Sequence, residues 1–162
     1  MRMSSPIRRT RLSGSLYRLV YRSQTVIAQT VPDPDKEREI RAILESARRR
    51  NQADGITGAL LFTASGFAQV LEGPRDLVER TFERISADPR HTDVVVLSFT
   101  PIERRCFPDW SMGFCGLTSG QAADPLAPLP AGPSDGPRAT TGTEVLRLLE
   151  KVVARDDAWI AA

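Results

Sequence analysis

An α+β fold, with two helices on one face of a mixed sheet and a further helix at the C-terminus, is predicted by two observations. Short alternating or β-branched apolar runs recur between residues 16 and 117, and two segments with apolar residues at helical spacing divide them. The resulting order is β-α-β-β-α-β-β, a split βαβ layout of the ferredoxin-like kind. A length of 162 residues suits one domain with an appended helix.

The elements follow in order. Residues 1–14 are polar and basic and read as a flexible tail. From Leu16 to Arg22 the chain alternates, with Tyr17, Leu19 and Tyr21 on one face and Arg18, Val20 and Arg22 on the other. A long loop ends in Pro32-Asp33-Pro34, where Asp33 or Asp35 can cap a helix and Pro34 suits its first turn. That helix runs to about Asn51 on a stripe of Ile40, Ile43, Leu44 and Ala47, with Gly55 just beyond it. Thr57–Thr63 and Phe67–Glu72 form a hairpin through Ala64-Ser65-Gly66. Gly73-Pro74 then opens a helix from Arg75 to about Ala87. Val94–Thr100, short and β-branched, is expected as a buried strand, and a last strand is expected over Trp110–Leu117, with Trp110, Met112 and Phe114 pointing the same way. Residues 118–142 are rich in proline and glycine and read as a linker. Thr143 is the expected cap of a final helix through about Trp159, whose Val145, Leu146, Leu149, Val152 and Val153 need cover from the free sheet face or from a partner subunit. The domain map is therefore 1–14 tail, 15–117 folded domain, 118–142 linker and 143–162 helix.

Composition narrows the function. The apolar, charged and aromatic fractions (41%, 26% and 6%) lie near globular averages, against a disordered or collagen-like chain. No run approaches the ~18 apolar residues of a spanning helix, and no apolar stretch follows Arg2, Arg8, Arg9 and Arg11. A cytoplasmic protein without membrane contact is expected. The net charge of +2 is too small to imply nucleic acid, and Arg48-Arg49-Arg50 reads as a cationic helix end offsetting the dipole. The cysteines Cys106 and Cys115 have no histidine at metal spacing, so no metal site is expected. With His91 the sole histidine, a nucleophile–His triad has little to draw on, which argues against much of hydrolytic enzymology. No GxGxxG follows a strand, which argues against a dinucleotide-binding Rossmann domain. A chain of this length is expected to hold no second catalytic domain.

Several residues sit oddly in a plain core. Gln69 lies between Phe67 and Leu71 on one strand face, where its amide needs partners or costs about 1–3 kcal/mol for each unsatisfied group. Backbone bonds at a sheet end would satisfy it, and so would a polar ligand. Asn51 lies on the stripe side of the first helix, as a C-terminal cap or a ligand contact. Tyr21 shares a face with Leu19 and Tyr17. Arg84 and Asp88 have the spacing of an i,i+4 ion pair, with Ile85 beside them. His91 follows that helix.

Five strings stand out in order: Leu19-Val20-Tyr21-Arg22-Ser23, Asn51 with Gly55-Ile56-Thr57-Gly58-Ala59-Leu60-Leu61, and Gly66-Phe67-Ala68-Gln69-Val70-Leu71-Glu72-Gly73-Pro74, then Asp88-Pro89-Arg90-His91 and Arg105-Cys106-Phe107-Pro108-Asp109-Trp110-Ser111-Met112. Taken together they resemble the BLUF family of blue-light sensors using FAD. The resemblance covers roughly residues 16–117 and implies a ferredoxin-like domain holding FAD non-covalently, its ring between the two helices. It implies that Tyr21 and Gln69 form the photoactive pair, that Asn51 bonds the polar ring edge, and that Ile43 and Ile85 sandwich the ring. Arg84, Asp88, Arg90 and His91 are implied around the ring edge and the ribityl-phosphate mouth. Trp110 and Met112 are implied as the relay on the last strand, acting on a second copy or a separate signalling protein. Light would drive electron and proton transfer from tyrosine to flavin and back, leaving the glutamine amide rotated, tautomerised or both. Two departures from the family pattern are Ala47, where Ser is frequent, and Arg50, where Asn or His is common.

Overall fold

The computed structural model describes residues 14–25, 33–63, 66–116 and 141–153. The expected tail up to residue 13, residue 117, residues 118–140 of the expected 118–142 linker and the expected helical residues beyond Val153 lie outside them. Five strands, β1 (Leu16–Thr25), β2 (Thr57–Thr63), β3 (Gly66–Pro74), β4 (His91–Ile102) and β5 (Gly113–Gly116), make one sheet in the order β4-β1-β3-β2-β5. All neighbours are antiparallel except the β2–β5 pair, so the sheet is mixed. The helices are α1 (Asp33–Asp54), α2 (Arg75–Ser86) and α3 (Gly142–Val153). This is the ferredoxin-like α+β arrangement.

Strand alternation sends two sets of side chains to two faces. On the first face Leu19, Tyr21, Leu60, Phe67 and Leu71 pack with Ile40 and Leu44 of α1 and Val78 of α2. On the second face Val20, Ala59, Leu61, Ala68 and Val70 pack with Phe107 and with Val145 and Leu149 of α3. Of the two covers open to the last helix, the sheet's own free face is the one it takes. Its cap is Thr141 rather than Thr143. The Thr141 hydroxyl accepts from the Glu144 amide at 3.3 Å, and the Glu144 carboxylate accepts from the Thr141 amide at 2.8 Å, a reciprocal capping box.

The hairpin is closed tightly. A Cβ at Gly58 would stand 1.9 Å from the Val70 carbonyl oxygen, so no larger residue fits between β2 and β3 there. Gly55 ends α1 with φ +65, the left-handed conformation expected past a helix C-terminus.

The last strand is shorter than the alternation suggests. It begins at Gly113, and Trp110, Ser111 and Met112 precede it in irregular backbone. Their carbonyls are taken by other groups: the Gly58 amide donates to Trp110 O at 3.0 Å, Asn51 Nδ2 to Ser111 O at 2.8 Å and Arg48 Nε to Met112 O at 3.1 Å. Two of these donors are α1 side chains, so the segment is tied to the helix as well as to the sheet. Trp110 and Met112 consequently fall on opposite sides, Met112 in the first-face core and Trp110 in the second.

Candidate functional site

Tyr21 and Gln69 are direct cross-strand partners in the β1–β3 ladder, which puts both side chains on the first face. Tyr21 is wholly buried and Gln69 nearly so. The Tyr21 hydroxyl donates a hydrogen bond to Gln69 Oε1. Burial, with the nearby Asp88 carboxylate adding to it, raises the phenol pKa well above its usual value, so the hydroxyl keeps its proton and acts as a donor. Gln69 Nε2 in turn donates to Met112 Sδ at 3.3 Å, a weak acceptor. One carboxamide therefore joins a phenol on β1 to a thioether just before β5.

The next residue in line is Asn51, buried at the C-terminal end of α1. Its bond to Ser111 O stands one residue from Met112, so Asn51 and Gln69 grip consecutive residues of the same segment. Phe82 of α2 meets the Tyr21 ring edge-on at 5.4 Å. Ile43 and Ile85 both pack, half-buried, onto this core, one from each helix.

His91 closes the far end. Its ring lies 4.7 Å from that of Phe67, and its Nδ1 is 2.8 Å from Ser23 Oγ. Burial lowers its pKa, Asp88 opposes that shift, and Arg90 adds to the lowering. Asp88 binds Arg90 Nε at 2.9 Å, and these bonds hold its carboxyl below the ordinary range. The i,i+4 pairing of Arg84 with Asp88 does not form. Arg84 reaches instead across to Asp54 of α1 at 3.3 Å and to Thr81 Oγ1 at 3.2 Å, because Arg90 already occupies the Asp88 carboxylate.

The structure thus joins Tyr21, Gln69 and Met112 directly and brings Asn51, Ile43, Ile85 and His91 to the same face, with Asp88–Arg90 and Arg84–Asp54 at its margin. Trp110 is not among them. Its ring stacks on Phe107 at 6.2 Å, on the α3 side of the sheet. Three contributors escaped the sequence reading: Ser23, Phe82 and Arg48. Ser23 continues the Leu19–Tyr21 alternation, which is a legible signal. The bond from Arg48 to a loop backbone has no local signature.

A family model described as sensors of blue-light using FAD matches residues 16–113. The chain belongs to the BLUF family. Photoactivated adenylate cyclase subunit beta of Euglena longa is 41% identical over 80 residues, 49% of this chain and 9% of that protein. The blue light- and temperature-regulated antirepressor BluF of Escherichia coli is 36% identical over 88 residues, 53% of this chain and 20% of the relative. The match therefore spans a small part of either relative. Among solved structures, the dark state of the BLUF protein BlrB aligns with a TM-score of 0.57 at 40% identity, over 64% of this chain and 74% of that one. The photo-activated state of BlsA aligns at 0.66 and 27% identity, over 85% and 94%.

BLUF domains use FAD, and the donor set here suits it. A flavin ring has apolar faces and a polar edge of carbonyls and ring nitrogens. Ile43 and Ile85 offer the apolar walls, while Gln69, whose amide now meets a thioether, and Asn51 offer carboxamide donors for such an edge. Arg84 and Arg90 stand at the margin, each paired with a carboxylate, Asp54 and Asp88. Two cavities, of 330 and 420 Å³, lie elsewhere, beside Tyr17 and Arg75 and beside Gln52 and Arg105. Among the described residues no group of His, Cys, Asp and Glu is arranged to hold a metal, and no helix is long and apolar enough to cross a membrane.

Proposed function

We propose that this chain is a blue-light photoreceptor whose switch is the Tyr21–Gln69–Met112 chain of hydrogen bonds, and that it acts as a sensor without enzymatic turnover. FAD, when bound, supplies blue-light absorption and a redox centre. Ile43 and Ile85 would wall the ring, Asn51 and Gln69 would bond its polar edge, and Arg84, Asp88, Arg90 and His91 would set the charge around it and its phosphate tail.

The observation that carries this reading is the donor–acceptor order along Gln69. Tyr21 donates to Oε1, and Nε2 donates to Met112 Sδ. Rotating the carboxamide by half a turn would place Nε2 against the phenol oxygen, which can accept from it. It would also place Oε1 against the thioether, where neither atom carries a proton. The Met112 contact would then be lost and the side chain pushed away. Tautomerisation would change the same two bonds by moving a proton rather than turning the group. Either way a small change at Gln69 becomes a displacement at Met112, which leads directly into β5. From there the signal would pass to a second copy of the chain or to a separate signalling protein.

The test is an absorption spectrum of the FAD-bound protein in the dark and under blue light. A reversible red shift is expected in the native chain and its loss in Gln69→Leu and Tyr21→Phe. An unchanged shift in both variants would overturn the switch.

A further inference from the structure

Tyr21 and Gln69 have a counterpart on the other side of the same two strands. Three residues away in each strand, Arg18 and Glu72 are also direct cross-strand partners, and the odd offset sends them to the second face. Glu72 is wholly buried. Its Oε1 accepts from Arg18 Nε at 2.7 Å and from the Cys106 amide at 3.0 Å, and its Oε2 accepts from the Phe107 amide at 3.0 Å. A buried carboxylate with three donors from two segments is a fixed point, since moving any donor strips a desolvated charge.

What it fixes is one end of the segment that ends at Met112. Arg105 adds to the anchorage, donating to Thr57 Oγ1 at 2.8 Å, Glu72 O at 2.9 Å and Gly55 O at 2.8 Å. Beyond Phe107 the chain crosses from the α3 side of the sheet, where Trp110 packs, to the first face, where Met112 meets Gln69. The fixed end also touches α3. Phe107 shares a core with Val145 and Leu149, and the Cys106 thiol lies 2.9 Å from Arg18 Nη2, its pKa raised by burial and by the Glu150 carboxylate of α3.

We infer that Glu72 is a positioning residue that pins Cys106–Phe107, so that displacement at Met112 turns Trp110 against α3 instead of sliding the whole 105–112 segment. The inference rests on the photoreceptor reading above. With one end fixed, a push at the other produces rotation about the fixed end. With neither end fixed, the same push is absorbed by translation, and α3 receives nothing.

The test compares amide hydrogen exchange of α3 in dark and light for the FAD-bound native chain, Glu72→Gln and Arg18→Lys. Gln lacks the charge and one acceptor oxygen, while Lys keeps the charge and removes the Nε donor. The native chain is expected to show a several-fold light–dark difference in α3. Glu72→Gln is expected to keep the red shift and lose that difference, with Arg18→Lys intermediate. A purely stabilising Glu72 would instead speed exchange equally in both states and leave the difference intact, which would overturn the inference. Should Glu72→Gln not fold, a full native difference in Arg18→Lys overturns it as well. A native chain with no red shift defeats the photoreceptor reading itself, so the two failures are separable.

Discussion

Tyr21, Gln69 and Met112 show how three side chains with ordinary chemistry acquire a direction. The phenol keeps its proton because its pKa is held high, so it can donate to Oε1, and that bond leaves the amide nitrogen for the thioether. Tyr21→Phe removes that donor and leaves a buried Oε1 without its partner, and a loss of about 1–3 kcal/mol in unfolding free energy is expected by urea titration. His91 gives a second prediction, with its sign set by burial. Its pKa in the folded chain lies below the 6.5 of the free side chain, so folding favours the neutral ring. The stability it contributes is present above that value and is lost as pH falls through the lowered folded value. Unfolding titrations from pH about 7.5 down to about 5 should show a decline that His91→Gln reduces. An equal decline in both proteins would remove His91 from the account.

At the scale of elements, the lesson lies in which segments were legible. The hairpin, α1, α2 and β1 declare themselves through spacing, since one buried face imposes a period of two or 3.6 on the sequence. The apolar run Val94–Thr100 reads as buried and lies instead in the edge strand β4, with Val95 43% and Val96 46% exposed. The segment Trp110–Met112 carries the same alternation and is not a strand. Its carbonyls bond to Asn51, Arg48 and Gly58, donors scattered over α1 and β2, and no local pattern encodes such partners. Glu72 was readable in principle, as a lone charge in an apolar strand, but its donors Arg18, Cys106 and Phe107 come together only through the fold. Of the site, the residues on β3 and α1 could be read, whereas the crossing of the sheet between Trp110 and Met112 could not. The two covers of the sheet also differ in what they demand. Leu149 of α3 is wholly buried against the second face, so Leu149→Ala should cost about 2–5 kcal/mol through the cavity it leaves. A thermal midpoint unchanged by that substitution would mean that α3 is not seated on the sheet.

For the whole molecule, the sheet has α1 and α2 on its first face and α3 on its second, and the described segment from Phe107 to Met112 passes from one to the other. On the proposed reading these are the sensing and the output face. α1 and α2 meet at their C-terminal ends through Arg84 and Asp54, side chains 44% and 34% exposed. An ion pair so exposed is worth little, and Asp54→Asn should shift unfolding free energy by less than about 1 kcal/mol. The helices are thus held to the sheet by their apolar stripes more than to each other, which suits a ring entering between them. If Asp54→Asn destabilised the chain as much as Leu149→Ala, that division would be mistaken. The second face is covered by α3, so on the proposed reading a second copy or a signalling protein would meet the outer surface of that helix.

The most direct measurement is the side-chain amide signal of Gln69, labelled with nitrogen-15 and followed by magnetic resonance in the dark and under steady blue light. Its two amide protons should move on illumination and return in the dark, together with the Met112 methyl, while the Asn51 amide moves less. A Gln69 signal identical in both conditions, in a protein whose visible spectrum does shift, would contradict the switch at its centre.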